Sequence, residues 1–332
     1  MEIQLSHGDG GKLTHELIKR VFHTAFQENI LSEEGDAAAL TLPSGNIMIS
    51  TDSYVISPLD FPGGDIGKLA ISGTVNDLAV SGAIPQYLTV GFILEEGLKI
   101  DILKRIVHSM AHTSLQAGVR LVAGDTKVVE RGKGDGMYIN TTGIGVNALP
   151  GRLGYGKIQP GDRILINGGI GEHAIAVLSA RAGLEYSIPI LSDCAPLNHM
   201  ILSLLERFQT IRFMRDPTRG GLATTLQEIA WKASMDMEIR EEHLPIPSQV
   251  RGAVEILGLD PLYLANEGKV VLFVGEEEAD EVIGWMKETY HQPLAAEIGR
   301  VKEGDGKVWL KTPYGGTRRL EMLSGAPLPR IC

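Results

Sequence analysis

Leu149-Pro150-Gly151-Arg152-Leu153-Gly154-Tyr155-Gly156-Lys157-Ile158-Gln159-Pro160-Gly161 divides the chain. Six of these thirteen residues are glycine or proline, the residues that most strongly interrupt regular structure, so a domain boundary is placed here. Upstream, Leu17, Ile18, Val21, Phe22, Ala25 and Phe26 recur at helical spacing and predict a helix over 13–27. A strand is predicted over 47–51, ending at Asp52, followed by a helix over 66–81 and a strand over 87–94. Asp101 reads as the N-cap of the next helix, and strands follow over 119–123, ending at Gly124-Asp125, and over 137–146. Downstream, strands are predicted over 163–167, 269–274, 296–301 and 308–311, with helices over 172–182, 196–208, 219–233 and 277–290. Strands and helices mix without strict alternation. That favours the α+β class, with domains at 1–150 and 151–310, over a doubly wound sheet. Residues 311–332 carry Pro313, Gly315, Gly316, Gly325, Pro327 and Pro329 with little periodicity, and read as a flexible arm. From Gly325 to Cys332 the arm can span roughly 25 Å.

Composition narrows the function classes. The 332 residues are 43% hydrophobic and 22% charged, ordinary globular proportions, with a net charge of -10. No basic run exceeds Arg318-Arg319, which argues against nucleic acid as a partner. No run of about 18 apolar residues occurs, which argues against a membrane span. The polar, glycine-rich start has no signal-peptide pattern, and two cysteines, Cys194 and Cys332, suit a reducing cytoplasm. Glycine is in excess at 40 residues, mostly in loops beside Asp, Asn and Thr, where it lets backbone approach a ligand.

Four acidic loop motifs stand out: Gly35-Asp36-Ala37-Ala38, Ser50-Thr51-Asp52-Ser53, Thr74-Val75-Asn76-Asp77 and Gly124-Asp125-Thr126-Lys127. Asp36, Asp52, Asp77 and Asp125 are candidate Mg²⁺ ligands, because carboxylates at such loops hold the ions that bridge nucleotide phosphates. The plain alternative is that they are turn formers. Two glycine-rich loops precede predicted helices, where exposed N–H groups bind phosphate. Gly10 and Gly11 lie in the first, and Asp216, Thr218, Arg219, Gly220 and Gly221 in the second. Gly169-Ile170-Gly171-Glu172-His173-Ala174 imitates a dinucleotide fingerprint but has no clear βαβ continuation. Cys332 ends the chain, where packing gives no reason for a thiol; it is either reactive or an accidental last residue. Cys194 reads as a buried structural residue.

These segments together resemble the HypE family of hydrogenase maturation proteins. The resemblance is carried by Ser50-Thr51-Asp52-Ser53-Tyr54-Val55, by 61–70, by Thr74-Val75-Asn76-Asp77-Leu78-Ala79 and by Gly124-Asp125-Thr126-Lys127-Val128-Val129. It continues through Asp216-Pro217-Thr218-Arg219-Gly220-Gly221, Ala265-Asn266-Glu267-Gly268-Lys269 and the ending Pro329-Arg330-Ile331-Cys332. It spans His7 to Cys332, and it makes the terminal cysteine the working residue. The wider superfamily contains aminoimidazole ribonucleotide synthetase and selenophosphate synthetase. Its members often carry two adjacent acids where this chain has Asp36-Ala37.

The resemblance implies a homodimer whose N-terminal sheets meet across the two-fold axis, with ATP near that interface. It implies ATP-dependent dehydration of an S-carbamoyl group on Cys332 to a thiocyanate, the source of cyanide for the iron of [NiFe]-hydrogenase. A carbamoyltransferase, HypF, would load the group and a HypC–HypD complex would receive it. Lys127 and Glu267 are implied as bases or proton relays, and Lys68, Asn76 and Thr126 as part of the nucleotide site. Two alternatives stay open: an amide-activating synthetase with a free substrate, and a carrier that relays a carbamoyl group without chemistry.

Overall fold

The computed structural model describes residues 2–26, 37–147, 149–183 and 189–323. Asp36 and Cys332 therefore lie outside the described residues. Helix α1 (Lys12–Leu17) runs through a π-turn (Ile18–His23) into α2 (Thr24–Phe26), burying Leu17, Val21, Phe22 and Phe26. Strand β1 (Asn46–Tyr54) is followed by the hairpin β2 (Asp60–Phe61) and β3 (Gly64–Asp65) and by helix α3 (Ile66–Val80). Then come β4 (Ala83–Glu95), α4 (Ile100–Ala117), β5 (Arg120–Val129) and β6 (Met137–Asn147).

These strands form a sheet of order β1-β6-β4-β5, antiparallel except for the β4/β5 pair, which α4 joins as a crossover. One face packs on α3 and α4. Helix α3 is buried almost all round because it lies between the sheet and α4. Gly143 on β6 permits the close approach, since a Cβ there would meet Thr74 at 2.7 Å. The opposite face alternates Ile47, Ile49, Thr51 and Ser53 along β1, all exposed.

Beyond the 149–161 segment lie β7 (Arg163–Ile166), α5 (Glu172–Ala182), α6 (Asn198–Arg207), β8 (Ile211–Arg215), α7 (Gly221–Ala233) and β9 (Met235–Arg240). Helix α8 (Ser248–Leu257), β10 (Val271–Val274), α9 (Ala279–Thr289), β11 (Ala296–Glu303), β12 (Val308–Lys311) and β13 (Thr317–Leu320) complete the chain. The second sheet has the order β13-β12-β9-β11-β7-β10-β8, with only β12/β9 parallel. The halves share a core: Ala174, Ile175 and Val177 of α5 and Val250 of α8 join the apolar cluster built on α3 and α4.

Several expectations need correction. Asp52 sits inside β1 rather than at its end, and Asp125 lies inside β5, because both strands run beyond the apolar stretch that marks them in sequence. Lys99 caps α4, leaving Asp101 in the first turn, where its charge suits the helix dipole. Residues 311–320, expected in an arm, are folded: β13 pairs with β12 and buries Leu320 completely.

Candidate functional site

Asp52 points to the α3 side of its sheet, where the Tyr54 hydroxyl donates toward it at 3.5 Å and also meets Thr74 at 3.2 Å. Asp77 on α3 accepts from the Ser50 hydroxyl at 2.6 Å, so β1 and α3 present their acids together. Asp216 directly follows β8, and Glu267 lies in the loop before β10. Burial, then the charge of Asp77, pushes the Asp52 carboxyl up to about 6, while Arg219 and Tyr54 oppose the rise. Asp216 is pushed up to about 7 by burial and then by Asp77 and Asp52. Glu267 is raised well above the ordinary carboxylate range by burial, with Asp216, Asp193, Asp52 and Asp77 adding to it. Each acid feels the others, so four carboxylates and the Arg219 guanidinium share one electrostatic environment where the two halves meet. A cavity of about 410 Å³ opens onto it, lined by Ser50, Asp77 and Asp216 together with Ile49, Tyr155 and Phe213.

Crowded carboxylates of this kind favour a hard cation. Among the described residues no group of three or more His, Cys, Asp or Glu side chains is arranged to enclose a metal ion. Magnesium commonly takes only one or two protein carboxylates, with phosphate and water completing its shell, so Asp52 and Asp77 fit that ion.

The glycine loop is shaped by its closeness to neighbouring backbone. Gly220 and Gly221 have φ of +77° and +64°, and a Cβ on Gly221 would meet the carbonyls of Leu262 and Leu264 at 2.6 Å. Asn266 ties this loop to its neighbours: its backbone N–H and its side-chain amide both donate to Pro217, and its Oδ1 accepts from Gly171. Arg219 stays exposed, and α7 begins immediately after the turn.

Not every predicted residue joins this group. Asn76 is buried and fully used between the halves, donating to Ala195 and Glu267 carbonyls and accepting from Leu197 N–H. Its amide therefore clamps structure rather than facing the cavity. Lys68 donates to the Gly63 carbonyl at 2.9 Å. Asp125 and Lys127 pair with each other at 3.2 Å, with side chains 68% and 65% exposed. They stand on the sheet face away from α3, while Thr126 between them points inward and is buried. Register sets the distance: Asp125 lies opposite Gly91, Gly91 opposite Asn140, and Asn140 opposite Ser53. Asp125 and Asp52 are thus at opposite edges and on opposite faces of the sheet, with three interstrand spacings, roughly 14 Å, between them. The N-terminal loop lies against β5, with Gly8 packed on Val128. Gly10 N–H donates to Thr14, and the Cα of Gly11 faces open space.

The Gly169-to-Ala174 motif is a turn from β7 into α5, but β7 pairs antiparallel with both β10 and β11. Without a parallel neighbour there is no dinucleotide crevice at this turn. His173 is buried against Ser192 at 2.8 Å and edge-on to Phe61. Cys194 is buried, and burial raises its thiol pKa, as a structural cysteine requires. Sequence reasoning passed over Asp193 and Lys269, which form a buried pair at 3.2 Å beneath Glu267. The only local signals were Lys269 at the end of the Ala265-to-Lys269 segment and Asp193 beside Cys194.

Comparison with known proteins extends the geometry. Residues 34–147 match the N-terminal domain of AIR synthase related proteins, and residues 159–311 match the C-terminal domain. The chain is 46% identical over 331 residues to the carbamoyl dehydratase HypE of Azotobacter vinelandii, covering 99% of this chain and 97% of that protein. A crystal structure of the hydrogenase maturation protein HypE in complex with ATP superposes with a TM-score of 0.95 at 46% identity, covering 99% of both chains. A HypE–HypF complex structure gives a TM-score of 0.81 at 44% identity, covering 94% of this chain and 100% of that one.

Proposed function

This chain belongs to the HypE family of carbamoyl dehydratases, and from that premise we propose that it uses ATP to turn an S-carbamoyl group on Cys332 into a thiocyanate. The observation that carries the reading is the meeting of Asp52, Asp77, Asp216 and Glu267 with Arg219 at the contact between the two halves. Such a place suits a polyanion with its cation, and it offers a carboxyl of high proton affinity beside them.

The chemistry follows from the leaving group. A carboxamide oxygen cannot depart as oxide. When it attacks the γ-phosphorus of ATP, ADP leaves and the oxygen becomes a phosphate ester; one N–H proton is given up. Elimination then breaks the C–O bond, inorganic phosphate departs with the oxygen, and loss of the second N–H proton completes C≡N on the same sulfur. Asp52 and Asp77 would hold Mg²⁺, which when bound offsets phosphate charge. Arg219 and the N-terminus of α7 at the Gly220-Gly221 turn bind phosphate oxygens. Glu267, buried and raised, accepts a nitrogen-bound proton once its own has been passed on.

Asp125 and Lys127 enter through a second copy. The face that bears them also exposes Ile47, Ile49 and Ile93, an apolar strip on an otherwise two-layered half. Pairing two such faces about a two-fold axis covers the strip and brings each copy's Asp125-Lys127 pair toward its partner's acids. HypF would load Cys332, as the solved HypE–HypF complex of a relative supports. A HypC–HypD iron carrier would take the product, in the cytoplasm.

The test is intact-mass measurement of carbamoylated protein with and without ATP. Loss of one water only with ATP supports the enzyme, whereas no loss leaves a mere carrier. Cys332→Ala must abolish productive ATP turnover; a variant that keeps it points to a free-substrate synthetase.

A further inference from the structure

We propose that Asp193 and Lys269 are a buried positioning pair that fixes Glu267 for proton transfer, an inference that rests on Glu267 acting as proposed above. Asp193 has a side chain only 1% exposed, and its two oxygens divide between successive peptide groups. Oδ1 accepts from Glu267 N–H at 3.2 Å and Oδ2 from Gly268 N–H at 3.1 Å. Lys269, 8% exposed, sits 3.2 Å from Asp193 and 3.5 Å from Glu172. The other edge of the same backbone is held as well. Asn76 donates to the Glu267 carbonyl at 3.4 Å, and Asn167 donates to the Gly268 carbonyl at 3.2 Å. A Cβ on residue 268 would collide with the Asp193 carbonyl, so only glycine permits this seat.

The clamp also ties Glu267 to the other acids. Asp193 opens a segment whose Ala195 carbonyl and Leu197 N–H are both held by Asn76, and Asn76 immediately precedes Asp77 on α3. One continuous set of hydrogen bonds therefore connects Glu267 to Asn76, the residue that precedes the proposed cation-binding Asp77 on α3. A buried ion pair contributes little net stability compared with apolar side chains of the same volume. Its use here is directional: a carboxylate receives two adjacent N–H groups with an angle that an apolar contact cannot impose. Lys269 keeps that carboxylate ionised despite its burial, with His173 adding to the effect. A one-residue shift of Glu267 would change the distance over which the proton moves, and misplacement of about 1 Å can cost on the order of a hundredfold in rate.

The experiment uses full-length protein carrying the S-carbamoyl group, with ATP-dependent water loss followed by mass in a single turnover and ATP affinity measured separately. Four proteins are compared: Asp193→Asn, Glu267→Gln, the double variant, and Asp193→Asn with Lys269→Gln. The last removes both charges together, so no buried charge is left alone if the single variant does not fold. Asp193→Asn is expected to slow water loss by about tenfold or more with ATP affinity unchanged, and the double variant to be no slower than Glu267→Gln alone. Such non-additivity marks a residue acting through Glu267, which loosened packing would not produce. A wild-type rate in the folded Asp193 variants, or losses that multiply in the double variant, overturns the positioning role while leaving the dehydratase reading intact. A wild-type rate for Glu267→Gln overturns both Glu267's part in that reading and this proposal.

Discussion

The two faces of the four-stranded sheet treat their acids in opposite ways. On the α3 side, Asp52 is partly covered, crowded by Asp77 and Asp216, and pushed up to about 6. On the far side, Asp125 stands in solvent, neutralised by Lys127 at 3.2 Å. The residues alternate along neighbouring strands of one sheet, yet only the first set carries electrostatic strain in the isolated chain. The difference teaches that a strand's pleat divides a motif-rich sequence between a face whose acids are brought together and a face whose acids stand apart in solvent.

The largest expected effect is on catalysis. Glu267→Ala and Lys127→Ala should each lower ATP-dependent water loss by roughly two orders of magnitude or more while ATP still binds. If Lys127 serves its partner's acids, co-refolding the two inactive variants should restore about a quarter of wild-type activity, because half the dimers are mixed and each has one intact site. No recovery would mean that both residues act within one chain, contrary to the separation across the sheet.

Next comes a pH effect on the inner face. Asp52 and Asp216 have raised values in the folded state, so the folded protein binds more protons than the unfolded chain between about pH 4 and 7. Stability of the ligand-free protein from these groups therefore falls as pH rises through that window. Magnesium should raise the melting temperature by about 2–4 °C at pH 8 and by much less at pH 5. Asp77→Asn should remove part of the repulsion, raising ligand-free stability at pH 8 and shrinking the magnesium shift. Equal shifts at both pH values would show that the inner acids are not coupled as described.

The smallest effect concerns the outer pair. Asp125→Asn should change folding stability by less than about 0.5 kcal/mol, because exposed ion pairs contribute little. Its turnover should nonetheless fall, and a denaturation curve measured beside an activity assay separates the two.

Much of this was legible in the sequence, and the gaps have physical causes. The inner acids were visible because Asp77 interrupts a largely apolar helical run and Asp52 follows the apolar part of a strand. Strand β9, Met235-Asp236-Met237-Glu238-Ile239-Arg240, went unread because alternating charges imitate a surface loop, although Met237 and Ile239 are fully buried. Helix α8 carried its own marks, Pro247 before it and Gly258 in the left-handed region after it, and they were overlooked. The Asp193–Lys269 pair was beyond reading, since 193 and 269 meet only when β10 and the segment before α6 converge. That Asp125 faces away from Asp52 follows from strand pairing, which no single motif encodes.

Strand β13 has one more consequence, for the working radius of the sulfur at the end of the chain. The Tyr263 hydroxyl donates to the Glu321 carbonyl at 2.9 Å, an anchor near the end of the described residues. Eleven residues follow Glu321 up to Cys332, and an extended chain of that length spans at most about 36–40 Å. If Cys332 carries the group as proposed, every station it serves must fall inside one sphere of that radius centred beside Tyr263, which bounds how far apart a loading enzyme and a product acceptor could be seated.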